Sequence, residues 1–243
     1  MLGLPYGTNL AAPLPLSVRA GLVSLWRFEN AANLGADALG GNTMTPFAVT
    51  QTVGKIGNGS LYVSASSSYM FVNSNAALQA GSGDCWITAW VKGTAGSFIA
   101  GKSLGSTPGG TEFTLEIISN QLVTRGSDGT TLANAQQAVT LIDNSWHFVF
   151  GWFNRSTKKV YSQQDNGTVV TSAATLSSGI RTGTASFNLA TDAGGIKSYD
   201  GIFDEVAWGK CPAGSLGDGS AGTLANTIST TLYNSGAGLA WSW

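Results

Sequence analysis

Two glycine-rich segments match nucleotide-binding patterns letter for letter. Gly96-Ser-Phe-Ile-Ala-Gly-Lys-Ser103 has the spacing of a phosphate-binding loop. Such a loop holds phosphates at the N-terminus of a helix that begins right after the lysine, whereas here the chain continues as Leu-Gly-Ser-Thr-Pro-Gly-Gly110. The second segment, Gly217-Asp-Gly-Ser-Ala-Gly222, lacks the preceding strand that a dinucleotide-binding turn requires. We therefore expect no nucleotide cofactor.

Nucleophilic catalysis has one candidate serine. The segment Gly101-Lys-Ser-Leu-Gly105 spells a nucleophile elbow, but it lacks the strand-to-helix turn that exposes the serine. The base would have to be His147, the only histidine of the chain, which falls within an apolar strand pattern. We interpret His147 as structural.

Glycoside hydrolysis is the enzymatic alternative with most to support it. It requires two carboxyl groups about 5–9.5 Å apart. Glu112 and Glu116 share one face of a predicted strand, but four residues of extended chain separate them by roughly 13 Å. We interpret both as solvated positions and expect no enzymatic activity, with a site completed from another strand as the alternative.

The two cysteines, Cys85 and Cys211, are too few for a disulfide framework or a transition-metal site. One interpretation makes them buried apolar side chains. The other is a disulfide, because each lies at the edge of a tryptophan-containing strand and antiparallel pairing would bring these edges together. A reducing cytosol would keep both as thiols.

Strand patterns dominate the sequence around these residues. Four runs, at 22–29, 85–92, 146–153 and 202–208, carry an aromatic or aliphatic residue at every second position. Punctuation by Gly, Asn and Ser predicts further strands at 60–64, 69–73, 97–101, 112–118, 121–125, 158–163, 168–171 and 186–190. Asn166-Gly167 supplies the positive-φ turn of a hairpin. The fold class is all-β, a two-sheet antiparallel sandwich with its tryptophans in the core.

The two ends of the chain differ from this pattern. Residues 1–20 contain Pro5, Pro13 and Pro15, which predict an extended N-terminal arm. Near the other end, Leu224, Ile228 and Leu232 recur every four residues and predict one short helix docked on the outside of the sandwich. The sequence thus predicts an arm at 1–20 and one domain at 21–243.

Composition restricts the partners. The chain carries 12 basic and 13 acidic residues, only 10% charged, with no basic cluster. A nucleic-acid partner is therefore not expected. No apolar run reaches the length of a membrane span, and the first residues lack the basic and apolar regions of a secretory signal.

Eight stretches, taken in their order along the chain, resemble the laminin G-like domains of the concanavalin A-like lectin and glucanase jelly-roll superfamily. The stretches are GLVSLWRFE, the loop 35–42, the segment 54–63, DCWITAWVK, SWHFVFGWFN, the hairpin 161–167, GIFDEVAW and the segment 231–238. The resemblance implies two antiparallel sheets packed face to face, one of them concave. It does not fix the activity, because this fold carries lectins, adhesion modules, glucanases and virion proteins.

The resemblance also implies a structural Ca²⁺ site, for which Asp37, Asn42 and Asp204 occupy matching positions. Oxygen ligands of this kind suit Ca²⁺ and not a transition metal. The alternative is that Asp37 makes an Asx-turn and Asp204 is a hydrogen-bonded residue of a strand end.

Two classes of function remain. The first is a non-enzymatic structural or attachment protein on the surface of a virion, such as a bacteriophage, where the arm would bind other particle proteins. The oligomeric state is left open by the sequence. The second is an extracellular or particle-borne lectin-like module that binds glycans. Its exposed aromatic residues would come from Tyr6, Tyr69, Tyr199, Trp241 and Trp243.

Overall fold

Strands dominate the computed structural model, which describes residues 15–19 and 21–239. In chain order they are β1 (Leu22–Trp26), β2 (Thr45–Phe47), β3 (Thr50–Val53), β4 (Asn58–Tyr62), β5 (Tyr69–Val72), β6 (Asp84–Gly96), β7 (Phe98–Ser103), β8 (Thr111–Ile118), β9 (Gln121–Ser127), β10 (Leu132–Thr140), β11 (His147–Asn154), β12 (Lys159–Gln164), β13 (Val170–Thr171), β14 (Phe187–Leu189) and β15 (Tyr199–Cys211).

These strands form two antiparallel sheets. The eight-stranded sheet has the order β13-β12-β11-β6-β15-β4-β3, and β1 also pairs with β15. The seven-stranded sheet has the order β10-β9-β8-β7-β14-β5-β2. One large hydrophobic core lies between them. The predicted all-β jelly-roll sandwich is confirmed.

Strand β11 shows why both faces of the eight-stranded sheet are apolar. Val149 and Phe153 belong to the core between the sheets, whereas Phe148, Phe150 and Trp152 belong to a second cluster on the outer face. Helix α2 (Leu224–Tyr233) covers that second cluster. The helix begins at Thr223, whose hydroxyl accepts a hydrogen bond from Asn226 N. The predicted helix and its docking position are confirmed.

The N-terminal arm differs from the prediction where the structure describes it. Leu16–Arg19 form a turn of α-helix, α1, instead of extended chain, and Val18 is fully buried in the cluster under α2. Burial of Val18 outweighs the extended preference that nearby prolines impart. The rest of the arm, residues 1–14 and 20, lies outside the described residues.

Three strands and one turn were not predicted correctly. Strands β2 and β3 are short and mostly exposed, and β10 alternates small and polar residues, so none carries the apolar pattern of a strand. In the hairpin between β12 and β13, the positive-φ residues are Asp165 and Asn166, one position before the predicted pair. Asp165 tolerates this conformation because its carboxylate accepts a hydrogen bond from Phe148 N.

Candidate functional site

Asn188 faces outward from the seven-stranded sheet. Its neighbours on β14, Phe187 and Leu189, point into the core between the sheets, so strand alternation turns Asn188 to the other face. Across the strand pair, Asn188 lies opposite Phe71 of β5. Met70 of β5 is buried in the core, which places Tyr69 and Phe71 on the same outer face as Asn188.

Three aromatic side chains form a row on this face. Phe47 of the edge strand β2 pairs in register with Tyr69, and their ring centroids are 5.1 Å apart at an interplanar angle of 24°. The rings of Tyr69 and Phe71 follow at 6.0 Å. Phe47 is 52% exposed. The first pair is stacked and the second is tilted, and the partly exposed rings together offer an apolar surface at the edge of the sheet.

A cavity of about 560 Å³ opens above two rings of this row, Tyr69 and Phe71. We call it the aromatic pocket: its floor is Tyr69, Phe71 and Asn188, and its walls are the loop 190–198 and the turn 64–68. Two backbone hydrogen bonds attach the loop 190–198 to opposite ends of strand β7. Ala190 N donates to Ile99 O near the start of the strand, and Ala193 N donates to Ser103 O at its end. The backbone of this wall is therefore held in place against β7.

Polar groups in the aromatic pocket remain available to a ligand. Asn188 is 4% exposed, and its Oδ1 accepts a hydrogen bond from the Ser186 hydroxyl. Within the described part of the chain, neither Asn188 Nδ2 nor the Tyr69 hydroxyl has a hydrogen-bond partner. An amide donor and a phenol beside aromatic rings suit a ligand that has both apolar and hydroxylated faces.

The prediction that Glu112 and Glu116 are solvated is wrong, since they are 2% and 1% exposed. Glu116 Oε2 lies 2.8 Å from Arg125 Nη1 and 2.7 Å from Lys197 Nζ, and Lys197 comes from the loop 190–198. Glu112 Oε2 lies 3.2 Å from Lys102 Nζ. Both carboxylates are thus held by cations, an arrangement that suits a structural role better than glycoside hydrolysis.

The structure brings together two of the three predicted calcium ligands. Asp37 Oδ2 accepts a hydrogen bond from Asn42 N, and its Oδ1 accepts from Leu25 N and Leu39 N. The bond from Leu39 N is the Asx-turn of the alternative interpretation. Asn42 is also engaged, through the Ser24 hydroxyl and Asn75 Nδ2.

Asp204, the third predicted ligand, is bound in another place. It accepts hydrogen bonds from Ile56 N and Glu205 N, and burial, opposed by the bond from Ile56 N, raises its pKa to about 8. Among the described residues, no group of three or more His, Cys, Asp or Glu side chains is arranged to hold a metal. The calcium site stays a prediction, to be tested by calorimetric titration of chelated protein.

The cysteines lie one register step apart on neighbouring strands. Lys210 is opposite Cys85, and Cys211 is opposite Asp84. Cys85 points into the core between the sheets, whereas Cys211 packs against the outer cluster, so the thiols face opposite sides of the sheet. Both are free in this structure. The antiparallel pairing that we expected is present, but this side-chain geometry disfavours the bridge, which remains untested.

His147 makes contacts typical of a structural histidine. Its Nδ1 lies 2.6 Å from Asp165 Oδ2 and its Nε2 lies 3.0 Å from Asp143 Oδ1. The hydrogen bond with Asp165 raises the pKa of His147, and burial opposes this effect. The imidazole therefore joins the start of β11 to the hairpin that follows β12.

The glycine-rich motifs occupy regular elements or loops. Phe98–Ser103 of the first motif form strand β7, and a loop leads from it into β8. The same strand contains Ser103 of the elbow pattern, whose hydroxyl donates to Gly105 O. The segment 217–222 is a loop that precedes α2 without a strand before it. None of the three has the strand–turn–helix geometry that its chemistry requires.

One residue of the aromatic pocket, Tyr69, was predicted from the sequence. Of the five aromatic candidates, Tyr69 lies on the pocket floor, Tyr199 is 1% exposed and belongs to the core, and Tyr6, Trp241 and Trp243 lie outside the described residues. Phe71 and Asn188 were missed. Alternation within the predicted strands 69–73 and 186–190 was the signal that could have placed them on one face.

No protein-family model matches the sequence, and no curated protein matches it. Solved structures do. Domain 4 of AbnA, a GH43 extracellular arabinanase from Geobacillus stearothermophilus in complex with arabinotriose, is 13% identical with a TM-score of 0.57, over 86% of this chain and 97% of that chain. A structure of botulinum neurotoxin type C, whose cell entry is dependent upon interaction with two ganglioside molecules, is 10% identical with a TM-score of 0.60, over 79% of this chain and 48% of that chain.

Mouse laminin α1 domains LG4-5 match more partially. They are 14% identical with a TM-score of 0.44, over 54% of this chain and 37% of that chain, which is too little to assign the family. The chain spans about half the length of the neurotoxin structure it matches. At these identities the matches show the fold alone, a β-sandwich of the jelly-roll type.

Proposed function

We propose that this chain is a carbohydrate-binding module and that the aromatic pocket is its binding site. The observation that carries the proposal is Asn188, an amide buried beside Phe71 with its Nδ2 unpaired among the described residues. Sugars present apolar C–H faces that stack on aromatic rings and hydroxyl groups that accept or donate hydrogen bonds. The rings of Tyr69 and Phe71 and the amide of Asn188 supply both kinds of contact in one cavity.

The solved structures support this proposal without establishing it. The arabinanase domain was determined with an arabinotriose, and the neurotoxin structure concerns ganglioside binding. Both share the sandwich fold of this chain. Their ligands belong to those proteins, and what they contribute here is that the fold can present a sugar site.

From the sequence alone, a structural or attachment protein of a virion was the first expectation and glycan binding the second. Support now lies with the second, because the described residues contain a pocket of suitable chemistry and the solved structures of this fold include one with a bound arabinotriose and one that concerns ganglioside binding. The two functions are compatible, since an attachment protein could use this pocket to bind surface glycans. Mass spectrometry of purified native particles tests the virion location.

Glycan arrays and affinity electrophoresis in gels containing arabinan, xylan or galactan test the proposed function. We expect the wild-type chain to bind at least one of these probes, and both Asn188→Ala and Tyr69→Ala to weaken that binding. Val139→Ala is the matched control, because Val139 is 53% exposed on β10, at the opposite edge of the same sheet. Failure to bind any probe, or binding that all three variants retain, would overturn the proposal.

A further inference from the structure

The charged groups of the aromatic pocket are arranged in a way that bears on the kind of sugar it accepts. Among its described lining residues, Lys197 is the only cation. Lys197 Nζ lies 2.7 Å from Glu116 Oε2 and 5.5 Å from the ring centroid of Phe98, and the side chain is 12% exposed. Nζ is buried against Glu116, a carboxylate that it shares with Arg125, so the ammonium group is not exposed to a ligand.

A carboxylate lies in the wall of the same pocket. Asp192 is 1% exposed, and its Oδ1 accepts hydrogen bonds from Ile196 N and Lys197 N. Its other oxygen, Oδ2, has no hydrogen-bond donor among the described residues. The negative charge of Asp192 is thus only partly compensated, by two backbone dipoles on one oxygen.

A second carboxylate lies behind the opposite wall. Asp200 accepts hydrogen bonds from the backbone N–H and the hydroxyl of Ser64, a residue of the turn 64–68 that lines the pocket. Ser64 is a neutral donor and does not cancel this charge. One carboxylate, Asp192, therefore lies in one wall, and another, Asp200, lies behind the opposite wall. The one lysine among the described lining residues, Lys197, is already paired with Glu116.

We infer that the aromatic pocket selects neutral sugars and rejects glycans that carry a carboxylate or sulfate. This inference rests on the proposed function and specifies its ligand class. An anionic sugar would lose its hydration in the pocket, find no unpaired cation among the described lining residues, and lie near Asp192 and Asp200. Repulsion between like charges is strong where water is excluded. A neutral sugar avoids this repulsion and can still stack on Tyr69 and Phe71.

Matched pairs of probes test the inference. The pairs are xylan with glucuronoxylan, and N-acetyllactosamine with its 3′-sialylated form, measured on an array and by calorimetry. We expect the neutral member of any pair that binds to have an affinity at least about tenfold higher. Equal or tighter binding of the acidic member would overturn the inference and leave the proposed function standing. Absence of binding to every probe would overturn the proposed function itself.

Asp192→Asn is the variant that isolates the charge. An asparagine Oδ1 can still accept the two backbone N–H bonds that hold the loop, so the wall is preserved while its charge is removed. For each pair of probes, we expect the variant to reduce the ratio of the affinity for the neutral sugar to the affinity for the acidic sugar by about threefold or more. Asp218→Asn is the control, since it changes the net charge equally from an exposed loop before α2. An unchanged ratio in Asp192→Asn, or the same shift in Asp218→Asn, would show that Asp192 does not determine the selection.

Discussion

Asn188 and Phe71 lie directly opposite each other on β14 and β5, with both side chains on the outer face of the seven-stranded sheet. The pair places an unpaired amide donor at one end of a row of three aromatic rings that extends to Phe47 at the sheet edge. A row of this kind offers stacking positions to more than one sugar unit. Chain length of the ligand should therefore matter.

Phe47→Ala should lower the affinity for long ligands and leave the affinity for short ligands nearly unchanged. Phe47 is the outermost ring of the row and is half exposed, so its removal should change stability by less than about 1 kcal/mol. We expect affinity for a long neutral oligosaccharide to fall about fivefold, the loss of one stacking contact of about 1 kcal/mol. Affinity for a disaccharide held at Asn188 and Phe71 should hardly change. Calorimetry with both ligands measures this, and an equal loss for the two would contradict the extended row.

Glu116→Gln should destabilise the fold. The carboxylate is 1% exposed and is the counter-charge that Arg125 and Lys197 share, and both cations are themselves largely buried. Its removal leaves two cations without their counter-charge, at a cost of about 3 kcal/mol in the free energy of unfolding. Urea unfolding measures the loss. Glu29→Gln is the control: Glu29 is exposed and, among the described residues, accepts hydrogen bonds only from Asn58, so a change below about 1 kcal/mol is expected there.

Gly209 should not tolerate a side chain. It pairs with Trp86 across β15 and β6, and a Cβ at this position would lie 2.0 Å from Cε2 of that indole. Gly209→Ala must displace a fully buried ring, so we expect a loss of more than about 2 kcal/mol or a failure to fold. Gly109→Ala has open space around its Cβ and should change stability by less than about 0.5 kcal/mol. Similar melting temperatures for the two variants would refute the steric argument.

Side-chain alternation made much of the fold predictable. A period of two residues assigns faces, so the β11 pattern correctly placed Phe148, Phe150 and Trp152 together. The spacing of Leu224, Ile228 and Leu232 likewise identified the helix that covers them. Local patterns of this kind are sufficient where burial is decided by the face on which a residue lies.

The candidate site was less predictable because it depends on which segments cover a face. Glu116 alternates with core residues and was assigned to solvent, yet the loop 190–198 brings Lys197 over it from a distant part of the chain. Nothing local to Glu116 encodes that contact. Strand β2, which supplies Phe47, contains a proline and exposes all three residues, so its sequence carries no strand pattern.

His147 should make the stability of the fold depend on pH. It lies between Asp165 and Asp143, and the bond with Asp165 raises its pKa above the ordinary value of 6.5. The folded state therefore binds the proton more tightly than the unfolded state does. The resulting stabilisation is fully present below about pH 6.5 and is lost as the pH rises through the higher folded pKa. His147→Gln removes the titrating group and keeps a side chain that can form hydrogen bonds. Denaturant midpoints of both chains at about pH 5.5 and about pH 9 should show the wild-type advantage shrinking at the higher pH. An advantage of the same size at both values would mean that the charge of His147 does not stabilise the hairpin.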